Sequence, residues 1–230
     1  MNTIIPNPAI AIAGRTFRVS FSRPDATDRA EIEQFIGEVF RQAYGAKLRR
    51  FKPCLMSLRD RDNRLVAACG FRSATHGALF LETYLDRPIE AVLAEHAGLP
   101  VRRCEIVEVG NFSVIEPGMA RYLIAAINDH LYNTSNQWAV FTTIPMLHNV
   151  FIKLEMHPEI LGIADKNRLA PEERSEWGSY YEHKPQIMAL RRIERRAIPR
   201  MPDARNQNSG MPEPASGSRC LACGMISREE

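Results

Sequence analysis

Residues 105–114 read Glu-Ile-Val-Glu-Val-Gly-Asn-Phe-Ser-Val, an apolar strand pattern broken by one glycine. Residues 115–121 follow as Ile-Glu-Pro-Gly-Met-Ala-Arg and lead into a long apolar helix. No other stretch limits the possible folds so strongly. A glycine inside a strand marks a bulge or a place where another backbone or a ligand comes close, so Gly110 is expected to deform the strand. Pro117 and Gly118 open a helix whose first amides lack internal partners, and such an end suits a phosphate. Glu105 and Glu108 sit on the strand, and alternation puts Ile106, Glu108 and Gly110 on one face and Glu105, Val107 and Val109 on the other. The same pattern also describes an ordinary buried strand–turn–helix unit, so the flanking sequence has to decide.

Phe17, Val19 and Phe21 alternate with polar residues and predict a first strand. Ile32, Phe35, Ile36, Val39 and Phe40 recur at helical spacing, and Gly45 ends that helix. Two apolar runs, 53–58 and 65–71, flank residues 60–63 and predict a hairpin. Residues 79–85 suit a short strand, after which Asp86 caps a helix that runs to Gly98. The central strand is expected over 101–114, a helix over 119–132, a buried strand over 138–143 and a short helix over 147–154. A strand at 160–164, a helical turn at 171–177 beginning on proline and a last strand at 186–193 complete the pattern. This order predicts an α/β (α+β) fold with a mixed sheet and helices on both faces.

With 230 residues, 45% of them hydrophobic, the chain can build one full core. The expected layout is an N-terminal extension over 1–14, one domain over 15–196 and a disordered tail over 197–230. The tail is rich in Pro, Asn, Ser, Gly and Arg and too poor in apolar residues to pack. The net charge of +3 is a weak bias and does not imply nucleic acid. Of the five cysteines, Cys54, Cys69 and Cys104 fall in apolar segments and read as reduced core residues, whereas Cys220 and Cys223 form a lone CxxC. The six histidines show no ligand spacing, so no metal site is expected. The first 14 residues make a poor signal peptide, and no uncharged apolar run is long enough to cross a bilayer. The expected setting is the cytoplasm.

The order of elements resembles the GNAT superfamily of N-acyltransferases. In that fold the fourth strand splays from the fifth, a pantetheine arm lies between them, and the helix after strand four holds phosphate. Residues 106–114 take the place of strand four, 116–121 that of the phosphate loop, and 138–143 that of strand five. Asn149, Phe151 and residues 154–156 match the segment that follows. A closer resemblance, over about residues 30–190, is to the thermostable hemolysin family, a GNAT-like bacterial family. It is carried by Val39-Phe40 with residues 44–46, by 53–58, 67–72, 79–90 and 106–111, by Trp138 with Phe141-Thr142, and by 177–182 with Pro185. The layout is also similar to acyl-homoserine-lactone synthases: Arg72 ends a strand, an insertion over 75–98 follows, and Glu108 lies on the next strand. The tryptophan and acidic residues near the N-terminus of those synthases are not evident.

These resemblances imply transfer of a fatty acyl group from a thioester to an amine of a small molecule. Glu108 is the candidate general base, with structural pairing to Arg72 or Arg103 as the alternative. Gly110 and Asn111 offer backbone N–H groups to the thioester carbonyl, or form a packing bulge. The donor's pantetheine and phosphate would lie along Gly110, Phe112, Val114, Gly118, Met119, Ala120, Arg121 and Asn149. The acceptor pocket would use Arg72, Glu82, Tyr84, Asp86 and Trp177, and Tyr181 is a candidate general acid; caps, surface pairs and aromatic packing are the alternatives. The phosphate loop has one glycine and carries Glu116, an acid where a pyrophosphate wants positive charge. That favours acyl carrier protein (acyl-ACP) over acyl-CoA as donor, and the basic run 191–196 would suit such an acidic partner. Two other functions compete: a directly membrane-active hemolysin, for which the sequence offers no basic amphipathic helix, and an acyl-thioester-binding GNAT module without turnover.

Overall fold

The computed structural model describes residues 9–12 and 15–192. The expected tail over 197–230, its CxxC and most of the 191–196 basic run lie outside the described residues. Strands β1 (Ala9–Ile12), β2 (Arg15–Ser22), β3 (Cys54–Arg59), β4 (Leu65–Ser73), β5 (Ile106–Val114), β6 (Trp138–Thr143), β7 (Glu159–Ile163) and β8 (Gln186–Arg191) form one sheet. Their order is β1-β2-β3-β4-β5-β6-β8-β7. Every neighbouring pair is antiparallel except β5–β6, which is parallel. The result is the expected mixed, mostly antiparallel sheet.

Helices α1 (Arg29–Tyr44) and α2 (Ile89–Ala97) cover one face, and α3 (Ala120–Tyr132) and α4 (Pro145–Lys153) cover the other. Alternation along the strands feeds both layers. Cys69, Phe71, Val107, Val109, Ala139 and Phe141 pack with Leu123 and Ile124 of α3 in one apolar cluster. On the other face Leu55 and Ala68 pack under Ile32 and Ile36 of α1, whereas Ile106, Trp138 and Val140 pack with Ile89 and Leu93 of α2. That face therefore has two clusters, one on each side of Glu108.

Four expectations fail locally. Residues 79–85 form no strand: Phe80–Tyr84 is a turn of 3-10 helix. Side chains take the amides a strand neighbour would need. Glu82 accepts from Leu79 N–H at 2.7 Å, and Glu108 accepts from Phe80 and Leu81 N–H, both at 3.1 Å. Asp86 does not cap α2. It is exposed and pairs with Arg168 at 2.6 Å; Glu82 takes the α2 Ile89 N–H instead, at 2.9 Å. The central strand starts at Ile106 rather than 101, because Arg103–Glu105 is a 3-10 turn closed by Arg102 N–H on the Glu105 carboxylate. Cys104 lies in that turn and is exposed, not in the core; like Cys54 and Cys69 it is a free thiol.

Candidate active site

The β5–β6 ladder pairs Ile106 with Trp138 through Val109 with Phe141 and goes no further. Beyond that point the strands part, and a bulge in β5 turns it away. Gly70 faces Gly110 and Ala68 faces Ser113, so Cys69 alone lies opposite Asn111 and Phe112. Asn111 takes the bulge's left-handed conformation (φ 50°), which asparagine tolerates better than most residues. Its Oδ1 accepts from Lys52 N–H at 2.9 Å and its Nδ2 donates to the Arg50 carbonyl at 3.4 Å. The bulge thereby ties β5 to the chain segment leading into β3. A cavity of about 430 Å³ passes through the parting. Ile127 and Leu131 line it on the α3 side, and Phe40, Phe80 and Trp177 line it on the α1 side.

Glu108 lies on the cavity wall and is 3% exposed. Besides the Phe80 and Leu81 amides, it holds the ammonium of Lys52. The expected alternative partners were Arg72 and Arg103; Arg103 instead clamps Glu82 at 2.7 Å and Glu90 at 2.6 Å. Lys52 reaches Glu108 for local reasons. Pro53 follows it and favours an extended conformation. The Lys52 carbonyl accepts from Arg29 Nη2 at 2.8 Å, and its N–H is held by Asn111. Its stem crosses the paired glycines: a Cβ on Gly70 would lie 2.6 Å from Lys52 Cβ, and one on Gly110 would lie 2.7 Å from Lys52 Cε. Burial pulls the Lys52 pKa down, the Glu108 charge opposes that, and nearby Arg72 adds to the lowering. Arg72 is the cross-strand neighbour of Glu108. It donates from Nη2 to the His76 carbonyl at 2.9 Å, while its buried Nε has no hydrogen-bond partner among the described residues.

Aromatic side chains close the same side of the cavity. Trp177 stacks on Phe80 with centroids 5.7 Å apart and meets Tyr181 edge-on at 5.8 Å. The Tyr84 and Tyr181 hydroxyls are hydrogen-bonded to each other. Burial raises both pKa values, that of Tyr181 to about 12. Thr142 and Thr143, where β6 leaves β5, line the cavity with buried hydroxyls that have no partner among the described residues.

The structure thus gathers Arg72, Tyr84, Glu108, Gly110, Asn111, Phe112, Trp177 and Tyr181 around one cavity, with Lys52, Thr142 and Thr143 as residues the sequence reading missed. The remaining candidates do not line it. Val114, Met119 and Ala120 are buried in the α3-side core, and Gly118 is exposed at the turn before α3. Arg121 is turned to Tyr122, donating to its hydroxyl at 2.9 Å and lying 4.7 Å from its ring centroid. Asn149 is exposed, because Leu147 and Phe151 present the other face of α4 to the cavity. Glu82 and Asp86 serve the Arg103 and Arg168 pairs described above. Glu105 points away from Glu108 and pairs with Arg102 at 2.7 Å. Among the described residues no three His, Cys, Asp or Glu side chains are grouped as metal ligands would be, and no helix is long and apolar enough to cross a membrane.

Comparison with known proteins follows this geometry. The AHL synthase LasI is 12% identical, with a TM-score of 0.53, over 78% of this chain and 92% of its own. FeeM, an N-acyl amino acid synthase from uncultured soil microbes, is 14% identical, with a TM-score of 0.50, over 76% of this chain and 90% of its own. At such identities the likeness is one of fold. No curated protein matches the sequence. The sequence profile described as thermostable hemolysin matches residues 22–195, most of the chain. The protein belongs to the thermostable hemolysin family.

Proposed function

We propose that the protein is an N-acyltransferase that moves a fatty acyl group from a thioester donor to the amine of a small molecule. The observation that carries this reading is the cavity at the β5–β6 parting, apolar on the α3 side and charged at Glu108. From Gly110 onward the β5 edge has no β6 ladder, so an extended pantetheine arm can pair there as an added strand would. The apolar lining takes the acyl chain. The structural neighbours, an AHL synthase and an N-acyl amino acid synthase, make the same reading chemically coherent.

In the proposed reaction the amine nitrogen attacks the thioester carbonyl. The C–N bond forms, the C–S bond breaks, and backbone N–H groups of the Gly110–Asn111 bulge stabilise the oxyanion. Glu108 takes the amine proton directly or through one water. It already accepts from the Phe80 and Leu81 amides and from the Lys52 ammonium, which hold the carboxylate in place on the cavity wall. Tyr181 stays protonated at neutral pH, its pKa lifted to about 12, and donates a hydrogen bond to the departing thiolate, which takes up the proton that Glu108 removed from the amine. We assign acyl carrier protein as the donor, because Arg121 does not line the cavity and Glu116 stands at the start of the turn before α3. The free thiols suit a reducing, cytoplasmic setting.

The test is single turnover with dodecanoyl-ACP and dodecanoyl-CoA against a pool of amines, read by mass spectrometry. New acylated amines from the ACP thioester are expected. Folded Glu108→Gln is expected to lose at least about 100-fold in rate; full activity in that variant would remove its role as base. Faster transfer from CoA would reverse the donor assignment. Lysis of membranes by the purified protein without added substrate would instead favour the direct hemolysin function.

A further inference from the structure

We propose that the cavity recognises a carboxylate carried by the acceptor amine, so that the acceptor class is amino acids rather than simple amines. This deepens the acyl-transfer reading and rests on it. The inference comes from the pairing of charges around the cavity. Its charged lining residues are Lys47, Arg49, Arg50, Lys52, Arg72, Glu108, Glu173 and Glu176. All three carboxylates already hold a cation: Arg49 meets Glu176 at 2.7 Å, Arg50 meets Glu173 at 2.7 Å, and Lys52 meets Glu108. Lys47 is exposed at the mouth. Arg72 is thus the interior cation without a carboxylate among the described residues, and its buried Nε lacks any hydrogen-bond partner there. A guanidinium on a cavity-lining residue that holds no carboxylate among the described residues favours an anion with planar oxygens.

Position adds to charge. Arg72 faces Glu108 across the β4–β5 ladder. A carboxylate held by Arg72 would therefore set an amine two bonds away on the side of Glu108. That is the spacing of an α-amino acid. A simple amine would leave the Arg72 guanidinium without an anion and forgo a charge-assisted hydrogen bond.

The test begins with binding, which needs no turnover. The full chain is titrated calorimetrically with N-dodecanoylglycine and N-dodecanoyl-leucine, and with the methyl ester of each. The acids are expected to bind at least about tenfold more tightly than their esters. Arg72→Gln should bring each pair to within about twofold. Equal binding of acid and ester to the wild type, no binding of either, or an undiminished preference in Arg72→Gln overturns the inference. A third arm compares 4′-phosphopantetheine with pantetheine. If Arg72→Gln removes a phosphate preference there and leaves the acid preference intact, the cation serves the donor, and the inference is overturned. Transfer assays then separate the two proposals. Acylation of ethylamine as fast as of glycine and leucine sinks the carboxylate inference and leaves acyl transfer standing. An acid-over-ester preference without transfer to any amine supports the carboxylate site and sinks the reaction.

Discussion

The two faces of the sheet are built by alternate residues of the same strands and have opposite characters. Toward α3, strands β4 and β5 contribute Cys69, Phe71, Val107 and Val109 to one continuous apolar cluster. Toward α1 and α2, the same strands contribute Gly70, Arg72, Glu108 and Gly110, and the apolar packing falls into two clusters. One face is organised by burial, which stabilises by roughly 25 cal/mol per Å² of apolar surface. The other omits two side chains to admit Lys52 and carries a buried ion pair, an arrangement that rarely adds stability over an apolar equivalent. The roles proposed above for Glu108 and Arg72 fall on the face where apolar packing gives way to charge.

Breaking the Lys52–Glu108 pair tests this contrast most severely. Lys52→Met leaves Glu108 buried with two amides and no cation, and is expected to cost about 3–5 kcal/mol in urea unfolding. Adding Glu108→Gln should recover most of the loss, because the uncompensated charge is then gone. A single-variant cost below about 1 kcal/mol would show that solvent reaches the pair and that the two faces are alike. On the opposite face Leu123→Ala, at a fully buried α3 position outside the cavity lining, should cost about 2–5 kcal/mol. Ligand binding by the folded molecules should be unchanged, and a loss of binding beyond the unfolded fraction would mean that the faces are coupled. The glycine pair comes next. Gly70→Ala sets a Cβ 2.6 Å from Lys52 Cβ and 2.9 Å from Leu55 Cδ2, where neither neighbour can swing clear, and about 1–3 kcal/mol is expected. Gly110→Ala meets the far end of the lysine, Cε at 2.7 Å. It should cost less stability than Gly70→Ala and reduce turnover more, because it pushes the ammonium off Glu108. The reverse order would place the critical approach at Lys52 Cβ.

Most of the apolar face was legible in the sequence. The helical spacing of Leu123, Ile124, Ile127 and Leu131, and the alternation through Val107 and Val109, are periodic signals that burial obeys. The β5 bulge was legible too, since Gly110 interrupts an otherwise apolar strand. The polar face was harder to read because its partners are distant in sequence. Lys52 precedes a proline in a segment with no periodicity, and what marks its path is a glycine on each of two strands. Those glycines become a pair only when the register sets Gly70 opposite Gly110. Residues 79–85 misled for a related reason. Their apolar content suits a strand, but Glu82 and Glu108 claim the backbone amides, and local propensity does not register side chains arriving from elsewhere. Arg121 and Asn149 were placed by resemblance, and no local pattern stated which way they would turn.

The smallest expected effect lies beside the polar face. Glu82 does not line the cavity, yet it holds the turn whose amides hold Glu108. Burial disfavours its ionisation, but Arg103 and the N–H groups of Ile89 and Leu79 outweigh that and lower its pKa from 4.5 to about 2. A depressed carboxyl pKa contributes stability that is complete above the unfolded value and fades as pH falls through the folded one. The window is therefore about pH 4.5 down to about 2. At pH 7 Glu82→Gln should be less stable than the wild type, by an amount that solvent screening of this partly exposed group keeps modest. The gap in urea midpoint should narrow steadily between pH 4.5 and 2. The gap for Leu123→Ala should stay constant over the same range, because no proton is involved. A Glu82→Gln gap equally flat with pH would mean that the carboxylate acts there only by shape, and the polar face would owe its alignment to packing after all.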